Sequence, residues 1–204
     1  TVTTQPHQVS GVLGGSVLLS PTLSLNETVK KIEWSFSTST GATIQIAELG
    51  LDGLERPDPQ DRFQNRLEMF NQTTLKIQNL QRGDNGIYGA RLKLLPALVK
   101  DQVFNLSIYG SVPTPEIRYQ HLSLSTQGCN VTLRCWVPAG SDAELTWQLN
   151  NSSGTRWGQL CEDRWTLCLA VPTNSFNSSY TCVAKNPTQE KNVTIQLDTL
   201  CWQQ

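Results

Sequence analysis

Cysteine is missing from everything before Cys129 in this 204-residue chain. That excludes an internal bridge in the first half, so any fold there must cohere by burial alone. Histidine is almost missing, with only His7 and His121. Two imidazoles leave little room for a metal centre or a nucleophile–histidine triad. The chain has no Gly-x-Ser-x-Gly elbow, no His-Glu-x-x-His pair and no phosphate loop. Neither sign of charge is in excess, with Lys+Arg 16 against Asp+Glu 17. A nucleic-acid or polybasic membrane partner is disfavoured for want of a basic patch. No apolar run approaches the roughly 18 residues of a membrane span. No signal peptide opens the chain, which reads as a processed or excised extracellular segment. We expect no enzyme, no cofactor, no metal and no small-molecule substrate.

What is present is the composition of an all-β protein. Thr, Ser, Val, Leu and Asn dominate, and short apolar runs are broken by Gly, Pro and Asn. Glycosylation sequons occur at Asn26, Asn71, Asn105, Asn130, Asn150, Asn151, Asn177 and Asn192. So many in one chain indicate a glycoprotein of the secretory pathway. The six cysteines agree, since an even set confined to one half reads as a disulfide framework of an oxidising compartment.

Residues 1–110 read as one β domain. Val12 to Leu19 is a turn feeding a strand. Lys31 to Phe36 alternates cleanly, which puts Ile32, Trp34 and Phe36 inward and Lys31, Glu33 and Ser35 outward. Thr43 to Glu48 is another strand, with Ile44 and Ile46 expected inward. Leu51 to Gln60, with Pro57 and Pro59, reads as irregular. Arg66 to Met69 and Thr74 to Ile77 form a short pair. Asp84-x-Gly86-x-Tyr88 is a turn typical of variable-type immunoglobulin domains: Asp84 would pair with Arg66, and Tyr88 would hold a tyrosine corner. The usual bridge is replaced by residues near Pro21 and by Ala90, so Trp34, Leu19, Leu75, Ile77 and Leu92 must supply the cohesion. A hairpin follows, with an apolar tip, Leu94 to Val99, where turns ordinarily carry Gly, Asn and Asp. An exposed apolar tip suggests a contact surface.

Residues 111–114 are a linker stiffened by proline, and residues 115–204 are a second domain. Its mark is Cys135, Trp147 and Tyr180-Thr181-Cys182, a tryptophan between two cysteines with a tyrosine two residues before the second. In an immunoglobulin sandwich such a disulfide joins the sheets and the indole packs on it. The six cysteines allow fifteen pairings. Cys129 and Cys201 lie at strand ends that can be neighbours, and Cys161 and Cys168 can staple a hairpin or, less readily, hold zinc. The fold class is thus all-β: two tandem immunoglobulin-like sandwiches, variable-type without a disulfide and then constant-type (C2) with disulfides, expected to form a rigid rod.

With these residues in place, the chain resembles the signalling lymphocytic activation molecule (SLAM) family of leukocyte receptors over essentially its whole length. The resemblance rests on Val9 to Val17, the cysteine-free first domain with Asp84-x-Gly86-x-Tyr88, the junction Ile108-Tyr109 to Pro115-Glu116-Ile117, Cys129 to Cys135, Tyr180 to Pro187, and Cys201. It implies the pairs Cys129–Cys201 and Cys135–Cys182. It also implies a cell-surface adhesion or immune receptor that docks on another family member, or on itself, through the front sheet of the first domain. That sheet maps to Lys31, Glu33, Ser35, Gln45, Arg91, Lys93 and Lys100, with the tip Leu95, Pro96 and Leu98. Cys161 and Cys168, and the apolar tip, depart from the family pattern. Such divergence also suits a soluble or viral decoy that mimics a SLAM-family ligand and modulates lymphocyte or natural-killer receptors. A membrane anchor is expected after this segment unless the protein is secreted.

Overall fold

The computed structural model describes residues 5–38, 40–150, 158–161, 163–172 and 178–201; the side chains at 121, 122, 149, 150, 158 and 159 are outside the description. The expected sites Asn151 and Asn177 therefore lie outside the described residues, as does the side chain of Asn150. The chain divides into two compact units, residues 1–109 and 110–204.

In the first unit, β1 (His7–Val12), β9 (Leu98–Tyr109), β8 (Gly86–Leu94), β3 (Val29–Ser37), β4 (Ile44–Gly50) and β5 (Gly53–Glu55) form one sheet in that order. Only β1 runs parallel to its neighbour in this sheet. The facing sheet is β2 (Val17–Leu19), β7 (Thr74–Ile77) and β6 (Leu67–Asn71). This is the variable-type arrangement, in which extra strands widen one sheet. The extra strand β5 lies inside the stretch expected to be irregular. A two-residue turn, Leu51-Asp52, reverses the chain between Gly50 and Gly53, and Gly53 takes a φ of 105° that a side chain would strain.

The core between these sheets holds Leu19, Trp34, Leu75, Ile77 and Leu92, all fully buried. Pro21 and Ala90 are buried where the bridge would stand. A disulfide's contribution of about 2–4 kcal/mol is thus left out. Apolar burial carries the unit instead, at about 1.5–3 kcal/mol per large side chain. Phe36, Phe63 and Tyr88 pack ring to ring, with centroids 4.8 Å apart for Phe36–Tyr88 and 5.3 Å for Phe36–Phe63.

One expected inward residue is not inside. Ile46 is buried, but Ile44 is 38% exposed. Its place at the end of the strand causes this and not its register: a β-bulge makes Ile46 an extra residue, with Trp34 facing Ala47 and Ser35 facing Gln45, and Ile44 still faces inward Phe36. Ile46 and Ala47 are both buried, and Ile44 is left at the strand's open end opposite Phe36.

Below the sheets, Arg66 forks onto Asp84 with two bonds of 2.7 and 3.0 Å. The Tyr88 hydroxyl donates to the Asp84 carbonyl oxygen at 2.8 Å, closing the tyrosine corner.

In the second unit, β10 (Glu116–Ser125), β11 (Gly128–Trp136), β14 (Thr166–Pro172) and β13 (Gly158–Leu160) form one sheet. The other is β12 (Glu144–Asn150), β15 (Ser179–Lys185) and β16 (Glu190–Gln196), followed by the short helix α1 (Leu197–Cys201). Among the described residues four strands facing three make the constant-type division. Cys135–Cys182 joins the two sheets, Cys129–Cys201 ties β11 to α1, and Cys161–Cys168 staples the β13–β14 hairpin. The last bridge removes the zinc reading of that pair. Trp147 lies opposite Cys182 and is half-buried, its indole N–H donating to the Trp165 carbonyl at 2.9 Å.

Candidate functional site

The outer face of the six-stranded sheet follows from strand alternation. On β3, buried Ile32, Trp34 and Phe36 send Lys31, Glu33 and Ser35 outward. On β8, buried Tyr88, Ala90 and Leu92 send Arg91 and Lys93 outward. Register then sets the rows. Glu55 faces Glu48, Glu48 faces Glu33, Glu33 faces Arg91, and Arg91 faces Asp101. The next row is Gly50, Lys31, Lys93 and Val99.

Charges of opposite sign meet across these strands. Lys31 pairs with Glu48 at 2.7 Å, Lys93 with Glu33 at 2.8 Å, and Arg91 with Asp101 at 3.1 Å. The hydrogen bond from Lys93 holds the Glu33 carboxyl below its ordinary value, against the opposing pull of partial burial. Glu48 holds the Lys31 ammonium above its ordinary value, and Asp101 does the same for Arg91. Solvent screens such pairs, so they add little to stability. They do fix long side chains in place and leave a face with cations on β8 and β3 and carboxylates on β3, β4, β5 and β9.

The structure brings Lys31, Glu33, Ser35, Gln45, Arg91 and Lys93 onto this face. It does not bring Lys100. That residue stands opposite buried Leu92, on the inward side of β9, and its ammonium pairs with Glu27. The reason is parity: counting from buried Phe104 toward the tip, the outward residues of β9 are Val103, Asp101 and Val99. Asp101 and Val99 were therefore findable from alternation, whereas Glu48 and Glu55 became visible only with the bulge and with β5. The tip projects beyond the sheet. Leu95 is 53% and Leu98 57% exposed, and Pro96 is exposed between them. The loop does not fold back onto the core.

Asn105 is exposed on the outer face opposite Ile87, at the other end of the sheet from the tip. Among the other described sequons, Asn26, Asn71, Asn130 and Asn192 are exposed. Among the described residues no three His, Cys, Asp or Glu side chains gather to hold a metal ion. No helix among them is long and apolar enough to cross a membrane.

Comparison with known proteins accords with this geometry. The immunoglobulin V-set domain matches residues 4–108. SLAM family member 5 of Mus musculus is 23% identical over 197 residues, covering 96% of this chain and 56% of the relative. SLAM family member 6 of Mus musculus is 24% identical over 198 residues, covering 96% and 54%. The chain thus spans about half the length of the curated relatives it matches. The crystal structure of murine CEACAM1b superposes with a TM-score of 0.61 at 20% identity, covering 95% of this chain and 96% of that one. At such identity the likeness shows the fold: tandem immunoglobulin sandwiches. Over its whole length the chain is similar to SLAM family members 5 and 6, and through its first domain it belongs to the immunoglobulin V-set family.

Proposed function

We propose that this ectodomain is an adhesion receptor of the cell surface. It binds another SLAM-family receptor, a copy of itself or a relative, through the outer face of the first domain's front sheet. The observation that carries this reading is the charge lattice of Lys31, Glu33, Glu48, Arg91, Lys93 and Asp101. Charges already ordered by their neighbours lose little freedom on docking. A face carrying both signs can meet a copy of itself turned so that cations oppose carboxylates, which is the requirement of a two-fold contact. The apolar tip at Leu95 and Leu98 supplies area that buries without a polar penalty.

The test is capture of the soluble chain by a panel of leukocyte receptors, itself included, with self-association followed by ultracentrifugation. Arg91→Glu with Lys93→Glu reverses the cationic column while leaving the core untouched. Binding should fall at least about tenfold, which is roughly 1.4 kcal/mol, with an unchanged circular dichroism spectrum. Unchanged binding would place the docking face elsewhere.

A further inference from the structure

We infer that Asn71 carries an N-linked glycan whose first sugar stacks on the ring of Phe70, so that hairpin β6–β7 is a built glycan platform. This rests on the secretory-pathway reading and not on the choice of partner.

The hairpin is closed by two residues, Gln72 and Thr73, since Asn71 faces Thr74. Met69 faces Leu75, so Phe70 is one residue too many on its strand. That bulge breaks the alternation that would otherwise send consecutive side chains to opposite faces. Phe70 ends 60% exposed, although a hairpin tip has no packing need for an aromatic ring.

Asn71 is held against the third residue of its own sequon. Its side-chain oxygen accepts from the Thr73 backbone N–H at 3.0 Å and from the Thr73 hydroxyl at 3.2 Å. A backbone N–H can only donate, so the atom facing it is the carbonyl oxygen and not the amide nitrogen. The Nδ2 group, the atom that glycosylation substitutes, makes no hydrogen bond among the described residues. The Nδ2–C1 bond forms as the C1–O bond of a lipid-diphosphate oligosaccharide breaks; the diphosphate leaves and one amide proton is released.

The first sugar, a β-linked N-acetylglucosamine, presents one face of C–H bonds. An aromatic ring is electron-rich on its faces and attracts such hydrogens while shedding water from both surfaces. The other described sequons lack this pairing, and Phe176 before Asn177 lies outside the described residues. Leu25 precedes Asn26, buried Phe104 precedes Asn105, Cys129 precedes Asn130 and Lys191 precedes Asn192. Among the described sequons only Asn71 follows an exposed ring. The platform belongs to the sheet opposite the candidate docking face.

The chain, made in glycosylating animal cells, should show Asn71 occupied by glycopeptide mass spectrometry. Asn71→Gln should lower the unfolding temperature of the first domain by about 3–6 °C when Phe70 is present. In Phe70→Leu, which keeps apolar bulk without a ring, the same change should cost no more than about 1 °C. The cycle cancels the loss of the Asn71–Thr73 bonds, because both backgrounds lose them. Proton spectra should show the first sugar's ring protons shifted upfield in the native chain and not in Phe70→Leu. An unoccupied Asn71, an equal loss in both backgrounds or unshifted sugar protons would each overturn the inference.

Discussion

Asp84 is 0% exposed, and its carboxylate is committed inside the molecule to the Arg66 fork and the Gln81 backbone N–H. The Asp84 carboxylate is consequently closed to an outside partner, although Arg82 and Gly83 beside it are exposed. Asp84→Asn keeps the shape and removes the charge, stranding a buried guanidinium. Breaking one side of a buried pair costs about 3–5 kcal/mol, and urea denaturation of the first domain should register a loss of that order. Burial pushes the Tyr88 hydroxyl well above its ordinary range, so it stays protonated and keeps donating to the Asp84 carbonyl. The pairing of Asp84 with Arg66 was legible in the sequence because a fixed turn motif brings a known geometry with it. The place of Lys100 was not, because the mapping of the resembled family's front sheet put it on the face while its parity on β9 excludes it.

At the scale of elements, the β8–β9 hairpin extends the sheet into solvent and ends in exposed Leu95, Pro96 and Leu98. Leu95→Ser with Leu98→Ser removes apolar area and no core contact. Partner affinity should drop by about ten- to a hundredfold, since small anchors in a docking face are worth roughly 1–3 kcal/mol together. The melting temperature should stay within about 2 °C, as surface changes rarely exceed about 0.5 kcal/mol. An affinity that survives both changes would mark the tip as incidental. Strands with strict alternation, β3 and β8 above all, were readable from residue order. The β4 bulge and the short β5 were not. A bulge shifts phase without a compositional signal, and β5 hid beside Pro57 and Pro59, whose turn character is the louder cue.

For the whole molecule, acid is the informative variable. The folded pKa of Glu33 is depressed, so its contribution is present above the unfolded value of 4.5 and is lost as pH falls through the lower folded one. Lys31 is raised, so its contribution is present below its ordinary 10.5 and is lost only as pH rises beyond it. Among the described residues no histidine stands on the candidate docking face to titrate between these limits, since His7 stacks on inward-facing Phe104. Self-association and partner capture should therefore be flat from about pH 8 to about pH 5.5. A tenfold weakening across that window, measured by surface plasmon resonance, would contradict the assignment of the face. The division into two sandwiches was legible from cysteine, tryptophan and tyrosine spacing, because those residues mark positions in a shared architecture. The order of charges on the face was not, since it depends on register.

All three bridges sit in residues 110–204, and the first unit has none. Thiol reductants should accordingly act on one half only. With dithiothreitol the second sandwich should become protease-sensitive while residues 1–109 remain folded. The first sandwich on its own should also mature in the reducing cytosol of a bacterium, with no oxidase or isomerase to help it.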